Sequence, residues 1–137
     1  MSKNEPVIGQ VLTEQNQSHE TRIPIFRQLE KLLGLPVISF FTSFNFPVML
    51  ENKDADMLEA LVQKTNTSKG LALLINSPGG DGLAAERIIN ICRNYSGTKD
   101  FLALVSGKAK SAATMVCFGS SKIYMGQLLN WDPLIHR

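Results

Sequence analysis

The chain has 137 residues, of which 44% are apolar, and it carries a formal net charge of +2 at pH 7. This length fits one domain with a buried core, and the scattered basic and acidic residues give no indication of a nucleic-acid partner. We expect a cytoplasmic protein without a transmembrane segment, because no apolar stretch approaches the roughly 20 residues that cross a bilayer and the N-terminus lacks the apolar region of a signal peptide.

The predicted elements begin after a polar N-terminal stretch. Residues 1–19 are rich in Asn, Gln and Glu, and we interpret them as a flexible leader that precedes a single domain over residues 20–137. Apolar residues at near-helical spacing predict a helix at 20–33, and a β-branched and aromatic run predicts a strand at 35–41. The other predicted elements follow in chain order: helix 54–65, strand 71–75, helix 83–95, strand 101–105, helix 111–118 and strand 122–125.

Strands and helices alternate along the chain, and the predicted strands are nearly continuous apolar runs. Both features are typical of a parallel sheet covered by helices, so the predicted fold class is α/β. In such folds, active sites gather at the edge of the sheet where the strands end. Residues that directly follow a strand are therefore the first candidates for a site.

Two strand ends carry residues that suggest chemistry. The apolar run at 71–75 ends in Asn76-Ser77-Pro78-Gly79-Gly80, and paired glycines leave backbone N–H groups open to an oxyanion. The next strand is followed by Ser111 at the start of a helix of small residues. N–H donors and a hydroxyl at one edge of a sheet are the parts of an acyl-transfer site. The alternatives are a plain turn at Gly79 and Gly80, and a helix N-cap at Ser111.

The Asn76–Gly80 turn, the Ala109–Thr114 segment and the Ser121–Gly126 strand resemble the Clp/crotonase superfamily. They are most like its serine dehydrogenase proteinase group, whose relatives include signal peptide peptidase A and the Clp protease proteolytic subunit. The resemblance extends from about Thr21 to Gly126. It implies a Clp/crotonase-like ββα spiral with a mainly parallel sheet flanked by helices.

The resemblance also implies roles for individual residues. Ser111 matches the nucleophile, and the N–H groups of Gly79 and Ala112 match the oxyanion hole, with Gly80 also in the substrate-binding turn. The implied reaction is cleavage of a peptide or protein substrate, with no metal and no cofactor. Relatives form rings or dimers, so a homo-oligomer is expected.

The general base is the open point of this assignment, because the superfamily uses either a histidine or a lysine. His136 lies 25 residues after Ser111, a separation like that of the histidine branch, and is the candidate base. Lys110 and Lys108 are further candidates; the alternative for all three is an exposed, solvated side chain. In the lysine branch the base lies in a C-terminal section that this sequence is expected to lack, and the tail after Gly126 departs from the family pattern.

The other chemistry-bearing residues have structural interpretations. Cys92 and Cys117 are expected to be two buried, reduced thiols, because each lies in apolar helical sequence. Asp81 is interpreted as a charge at a helix N-terminus, Asp132 as a surface residue, and His19 as part of the exposed leader.

Three functions remain in competition at this point. The first is a serine peptidase, with its base supplied by His136, by a missing C-terminal segment or by a neighbouring subunit. The second is a truncated, non-catalytic relative that acts as an assembly or binding protein. The third is an acyl-CoA enzyme of the crotonase branch, which uses the same kind of oxyanion turn but usually carboxylates in place of this serine helix.

Overall fold

The computed structural model describes residues 19–43 and 49–125, with side chains from Ile23 onward, and the first element within these ranges is helix α1 (His19–Leu33). The chain divides into two compact units, residues 1–33 and 34–137, and α1 belongs to the first. The predicted leader and domain boundary stay predictions, because residues 1–18 lie outside the described residues.

Within its described residues, the second unit contains a four-stranded sheet and three helices. Its strands are all parallel and are ordered β1-β2-β3-β4 across the sheet. In chain order the elements are β1 (Val37–Phe41), α2 (Asn52–Gln63), β2 (Leu71–Ser77), α3 (Gly82–Ser96), β3 (Phe101–Ala109), α4 (Ala112–Phe118) and β4 (Lys122–Met125). The predicted α/β fold, with a parallel sheet flanked by helices, is confirmed.

The two central strands form the middle of the apolar core. Leu71, Leu73 and Ile75 of β2 are fully buried, and every residue of β3 from Phe101 to Val105 is buried. Strands covered on both faces have no solvent side and need no polar alternation, which is why these runs are continuously apolar in the sequence.

Strands β2 and β3 are longer than predicted, since they continue past their apolar runs to Ser77 and Ala109. The register shifts between Ile75, which pairs with Val105, and Ser77, which pairs with Ala109. Two extra residues in β3 therefore form a bulge, and the side chain of Asn76 stabilises it by accepting a hydrogen bond from the N–H of Lys108 at 2.7 Å. The bulge is built from polar residues, so the apolar pattern gave no sign of it.

Both cysteines are buried and unpaired, as predicted. Burial raises the pKa of the Cys92 thiol to about 12 and that of the Cys117 thiol to about 12, because the apolar surroundings disfavour the thiolate. Both therefore stay protonated at neutral pH, and neither is a nucleophile.

None of the helices in the described residues is long and apolar enough to cross a membrane. The cytoplasmic location stays a prediction.

Candidate active site

The glycine turn, residues Asn76–Gly80, follows β2 and is held by a short parallel bridge to Leu50. The N–H of Leu50 donates to the carbonyl of Gly79 at 2.9 Å, and the N–H of Asp81 donates to the carbonyl of Leu50 at 2.9 Å. Gly79 and Gly80 have φ values of +100° and +156°, which residues with a Cβ rarely adopt. The paired glycines are therefore required by the backbone path of this turn.

This bridge determines which way the Gly79–Gly80 peptide faces. In a trans peptide the C=O and the following N–H point in opposite directions. Because the carbonyl of Gly79 is directed at Leu50, the N–H of Gly80 is directed away from it. Among the described residues, no acceptor is bonded to the Gly80 N–H.

The N–H of Gly79, which the resemblance assigns to the oxyanion hole, donates to the Oγ of Ser77 at 3.1 Å. Ser77 is fully buried, and its Oγ also accepts a hydrogen bond from the hydroxyl of Thr42 at 2.6 Å. Sequence reasoning did not single out Ser77 or Thr42. The signal was available for Ser77, since a serine two residues before a turn glycine commonly bonds that backbone N–H.

Ser111 occupies the N-cap position of α4, but its side chain makes no capping hydrogen bond. Its backbone has φ 52° and ψ −123°, and it is the one residue other than glycine with positive φ in the described ranges. This conformation is strained for a residue with a Cβ. A serine on a strained strand-to-helix turn presents its Oγ outward, and here the residue is exposed. Helix capping by its hydroxyl therefore does not explain why a serine adopts this strained conformation at position 111.

The structure brings the glycine turn into contact with the serine turn, residues Lys110–Ala112. A Cβ added at Gly79 would lie 2.5 Å from the carbonyl oxygen of Lys110, 2.7 Å from the Cβ of Ser111 and 2.9 Å from the nitrogen of Ala112. The N–H of Lys110 also donates to the carbonyl of Ser77 at 3.1 Å. The absence of a side chain at Gly79 is what lets the two turns approach this closely.

Ala112 is the first residue of α4 and contributes a second candidate donor. The first N–H groups of a helix have no partner within the helix. The N–H of Ala113 donates to the carbonyl of Lys110 at 3.0 Å, whereas the N–H of Ala112 has no bonded acceptor in the part of the chain that the structure describes. The small side chains of Ala112 and Ala113 are both buried.

Of the three candidate bases, the structure describes the two lysines and not His136. Lys108 and Lys110 are both exposed: Lys108 lies near the end of β3, and Lys110 is the first residue of the serine turn. His136 and Asp132 lie outside the described residues. Within the described ranges, no hydrogen bond joins the Oγ of Ser111 to a candidate base.

Two further predicted residues have structural positions. The carboxylate of Asp81 accepts a hydrogen bond from the N–H of Leu83 at 2.9 Å at the start of α3, which confirms a negative charge at a helix N-terminus. The prediction that His19 belongs to the flexible leader is wrong, because His19 is the first residue of α1. In the described residues, no group of three His, Cys, Asp or Glu side chains is arranged to hold a metal ion.

A family model described as Clp protease matches residues 49–137, which is more than half of the chain. The chain belongs to the Clp protease family. The match includes both the glycine turn and the serine turn, and it supports a peptidase-like function. No curated protein matches this sequence. The resemblance to the Clp/crotonase superfamily is confirmed, while the serine dehydrogenase proteinase group and a missing C-terminal section stay predictions.

Proposed function

We propose that this Clp protease family member is a serine-type peptidase of the serine dehydrogenase proteinase group, with Ser111 as its nucleophile. The observation that carries the proposal is the contact between the glycine turn and the serine turn. This contact brings the glycine turn against the strained turn that carries the exposed Ser111, and the backbone N–H groups of Gly80 and Ala112 in these two turns have no acceptor among the described residues.

In this proposal, the Oγ of Ser111 attacks the carbonyl carbon of a peptide bond while a base takes the hydroxyl proton. The carbonyl oxygen becomes an oxyanion and accepts hydrogen bonds from the N–H groups of Gly80 and Ala112. Gly80 replaces Gly79 as the donor, because the N–H of Gly79 already donates a hydrogen bond to the Oγ of Ser77. The carbon–nitrogen bond then breaks, the base returns the proton to the leaving amine, and water hydrolyses the ester on Ser111.

The two donors account for a large part of the expected rate. Each backbone N–H aimed at the oxyanion contributes a factor of roughly 10²–10³. Both belong to rigid parts of the fold: the peptide of Gly80 is held by the bridge to Leu50, and Ala112 begins a helix. Little reorganisation is needed when the charge forms, and the mechanism uses neither a metal nor a cofactor.

We propose His136 as the base. Residues 44–48 and 126–137 lie outside the described ranges. Among them, His136 is the one residue whose side chain can act as a neutral base near pH 7. Its position in the sequence puts it within the family match, which ends at residue 137. Lys108 and Lys110 remain the competing candidates, because Lys110 directly precedes Ser111 and Lys108 lies three residues before it.

The proposal is tested with a fluorophosphonate probe, which reacts with activated serines. We expect an adduct on Ser111 in the wild type, identified by mass spectrometry of the digested protein. His136→Gln is expected to lower the rate of labelling by about 10²-fold or more, and Lys110→Met by less than about threefold. An unlabelled wild type that is shown to be folded would contradict the peptidase, and equal rates for His136→Gln and the wild type would exclude His136 as the base.

We also propose that the chain forms a homo-oligomer. Met115 and Phe118 of α4 are 47% and 59% exposed, and Leu83 at the start of α3 is 75% exposed. Large apolar side chains on neighbouring elements favour contact with a partner when they form a patch. A monomeric mass in solution, measured by light scattering, would contradict this proposal.

A further inference from the structure

We infer that Ser77 and Thr42 are positioning residues that hold the Gly79–Gly80 peptide in the orientation an oxyanion hole requires. This inference rests on the proposed function, since it concerns the same glycine turn. Neither side chain is assigned a role by the family resemblance, and neither is placed to touch the reacting atoms. Their effect is exerted through the backbone of the glycine turn.

The hydroxyl of Ser77 is the fixed point of this arrangement. It is fully buried, and it accepts hydrogen bonds from the N–H of Gly79 at 3.1 Å and from the hydroxyl of Thr42 at 2.6 Å. Buried polar groups that lose a partner are costly, so this small network strongly favours one orientation of the turn. Without it, the N–H of Gly79 would be a buried donor with no acceptor from its own turn.

The Gly79–Gly80 segment needs such a restraint because of its composition. Two consecutive glycines have more accessible backbone conformations than any other pair of residues. The peptide is held on one side by the bond from the N–H of Leu50 to the carbonyl of Gly79. Ser77 holds the other side at the N–H of Gly79. With both ends of Gly79 bonded, rotation of the following peptide is restricted, and the N–H of Gly80 keeps its direction.

Ser77 also connects the glycine turn to the serine turn and to the end of β1. Its backbone carbonyl accepts a hydrogen bond at 3.1 Å from the N–H of Lys110, the residue before the nucleophile. The N–H of Thr42 donates to the carbonyl of the neighbouring Asn76 at 3.0 Å. The ends of β1, β2 and β3 therefore meet at one buried serine. A change at Ser77 is expected to alter the position of the oxyanion donor relative to Ser111.

The experiment compares three variants. Ser77→Ala removes the shared acceptor, and Thr42→Val removes only the supporting hydroxyl while keeping the side-chain shape. Ser96→Ala is the matched control, because Ser96 is also buried but its hydroxyl bonds to the carbonyl of Cys92 within α3. If Ser77→Ala does not fold, the half-buried Thr42→Val still tests the pair.

The first readout is amide hydrogen exchange at Gly79, followed by nuclear magnetic resonance, and it does not depend on activity. In the wild type we expect slower exchange at Gly79 than at Gly80, because only the former N–H is bonded. In Ser77→Ala the exchange at Gly79 should accelerate at least tenfold, whereas Ser96→Ala should leave it unchanged. Unchanged exchange at Gly79 in Ser77→Ala would overturn the inference.

The second readout is the rate of fluorophosphonate labelling across pH. Misplacing one oxyanion donor should lower this rate by about 10- to 10²-fold in Ser77→Ala and by less in Thr42→Val, with no shift in the pH midpoint because the base is untouched. Equal rates for folded Ser77→Ala and Ser96→Ala would also overturn the inference. If the wild type is not labelled, the proposed function fails, and the exchange measurement alone decides whether Ser77 holds the turn.

Discussion

Ser111→Ala is expected to abolish fluorophosphonate labelling and to lower peptide cleavage by about 10³-fold or more. Removing the nucleophile of a serine peptidase leaves only the contribution of the oxyanion donors and of substrate binding. The backbone of the serine turn and the donors at Gly80 and Ala112 are expected to stay in place, since alanine is only one oxygen atom smaller. The measurement is the labelling rate together with turnover of an unstructured protein substrate.

The control for this variant is Ser68→Ala, which makes the same change at an exposed serine in the turn before β2. Ser68 precedes the first residue of β2, whereas the candidate site lies beyond the last. Labelling of Ser68→Ala should match the wild type. Persistent labelling of Ser111→Ala would show that another serine reacts, and the assignment of Ser111 would then be wrong.

Ser111→Gly gives a second expectation that needs no activity at all. Gly97, at the end of α3, has φ 59° and ψ −123°, almost the same conformation as Ser111 at φ 52° and ψ −123°. Glycine adopts this conformation without strain, so Ser111→Gly should be more stable than Ser111→Ala by about 1 kcal/mol, after allowance for the greater freedom of an unfolded glycine. Chemical unfolding of both variants measures the difference. A stable but unreactive glycine variant is the pattern expected when strain is retained for function.

Gly79→Ala is expected to disrupt the site and to destabilise the protein by about 3 kcal/mol. The new methyl group would meet the backbone oxygen of Lys110 at 2.5 Å and the Cβ of Ser111 at 2.7 Å, in a residue whose φ is +100°. Backbone strain and overpacking each cost about 1–3 kcal/mol. The two turns must separate to accommodate the methyl group, so labelling of the folded variant should fall by about 10²-fold.

Gly97→Ala is the matched control for Gly79→Ala. Gly97 also has positive φ, but a Cβ there would meet no atom within 4 Å. Its substitution should therefore lower the free energy of unfolding by the backbone strain alone, about 1–2 kcal/mol, and should leave labelling unchanged. Equal loss of labelling in the two variants would mean that the contact between the glycine turn and the serine turn is not what matters.

Much of the fold could be read from the sequence because the buried strands are continuous apolar runs. The alternation of such runs with amphipathic stretches predicted a parallel sheet, and a parallel sheet places all its strand ends at one edge. That rule predicted that the glycine turn and Ser111 would lie together, and in the structure they are in contact. The candidate site residues at that edge could therefore be identified from the sequence alone.

The orientation of individual groups was not visible, because it depends on contacts between residues far apart in the chain. Leu50 aligns the peptide between Gly79 and Gly80, and Ser77 occupies the N–H that the resemblance had assigned to the oxyanion. The bulge held by Asn76 is equally hidden, since a side-chain amide there replaces part of the strand pairing. Propensity and periodicity describe neighbours in sequence, so they carry no information on such bonds.

By itself, the sequence determined the α/β class, the order of its elements and the two strand ends where a site could form, since burial and local backbone preference decide these features. Only the tertiary structure decided that Gly79 must lack a side chain, that Ser111 adopts a strained conformation without capping its helix, and that the N–H of Gly79 is bonded whereas that of Gly80 has no acceptor among the described residues. The physical reason is that close packing between two turns and the direction of a single peptide are set by the whole sheet edge, not by any one segment.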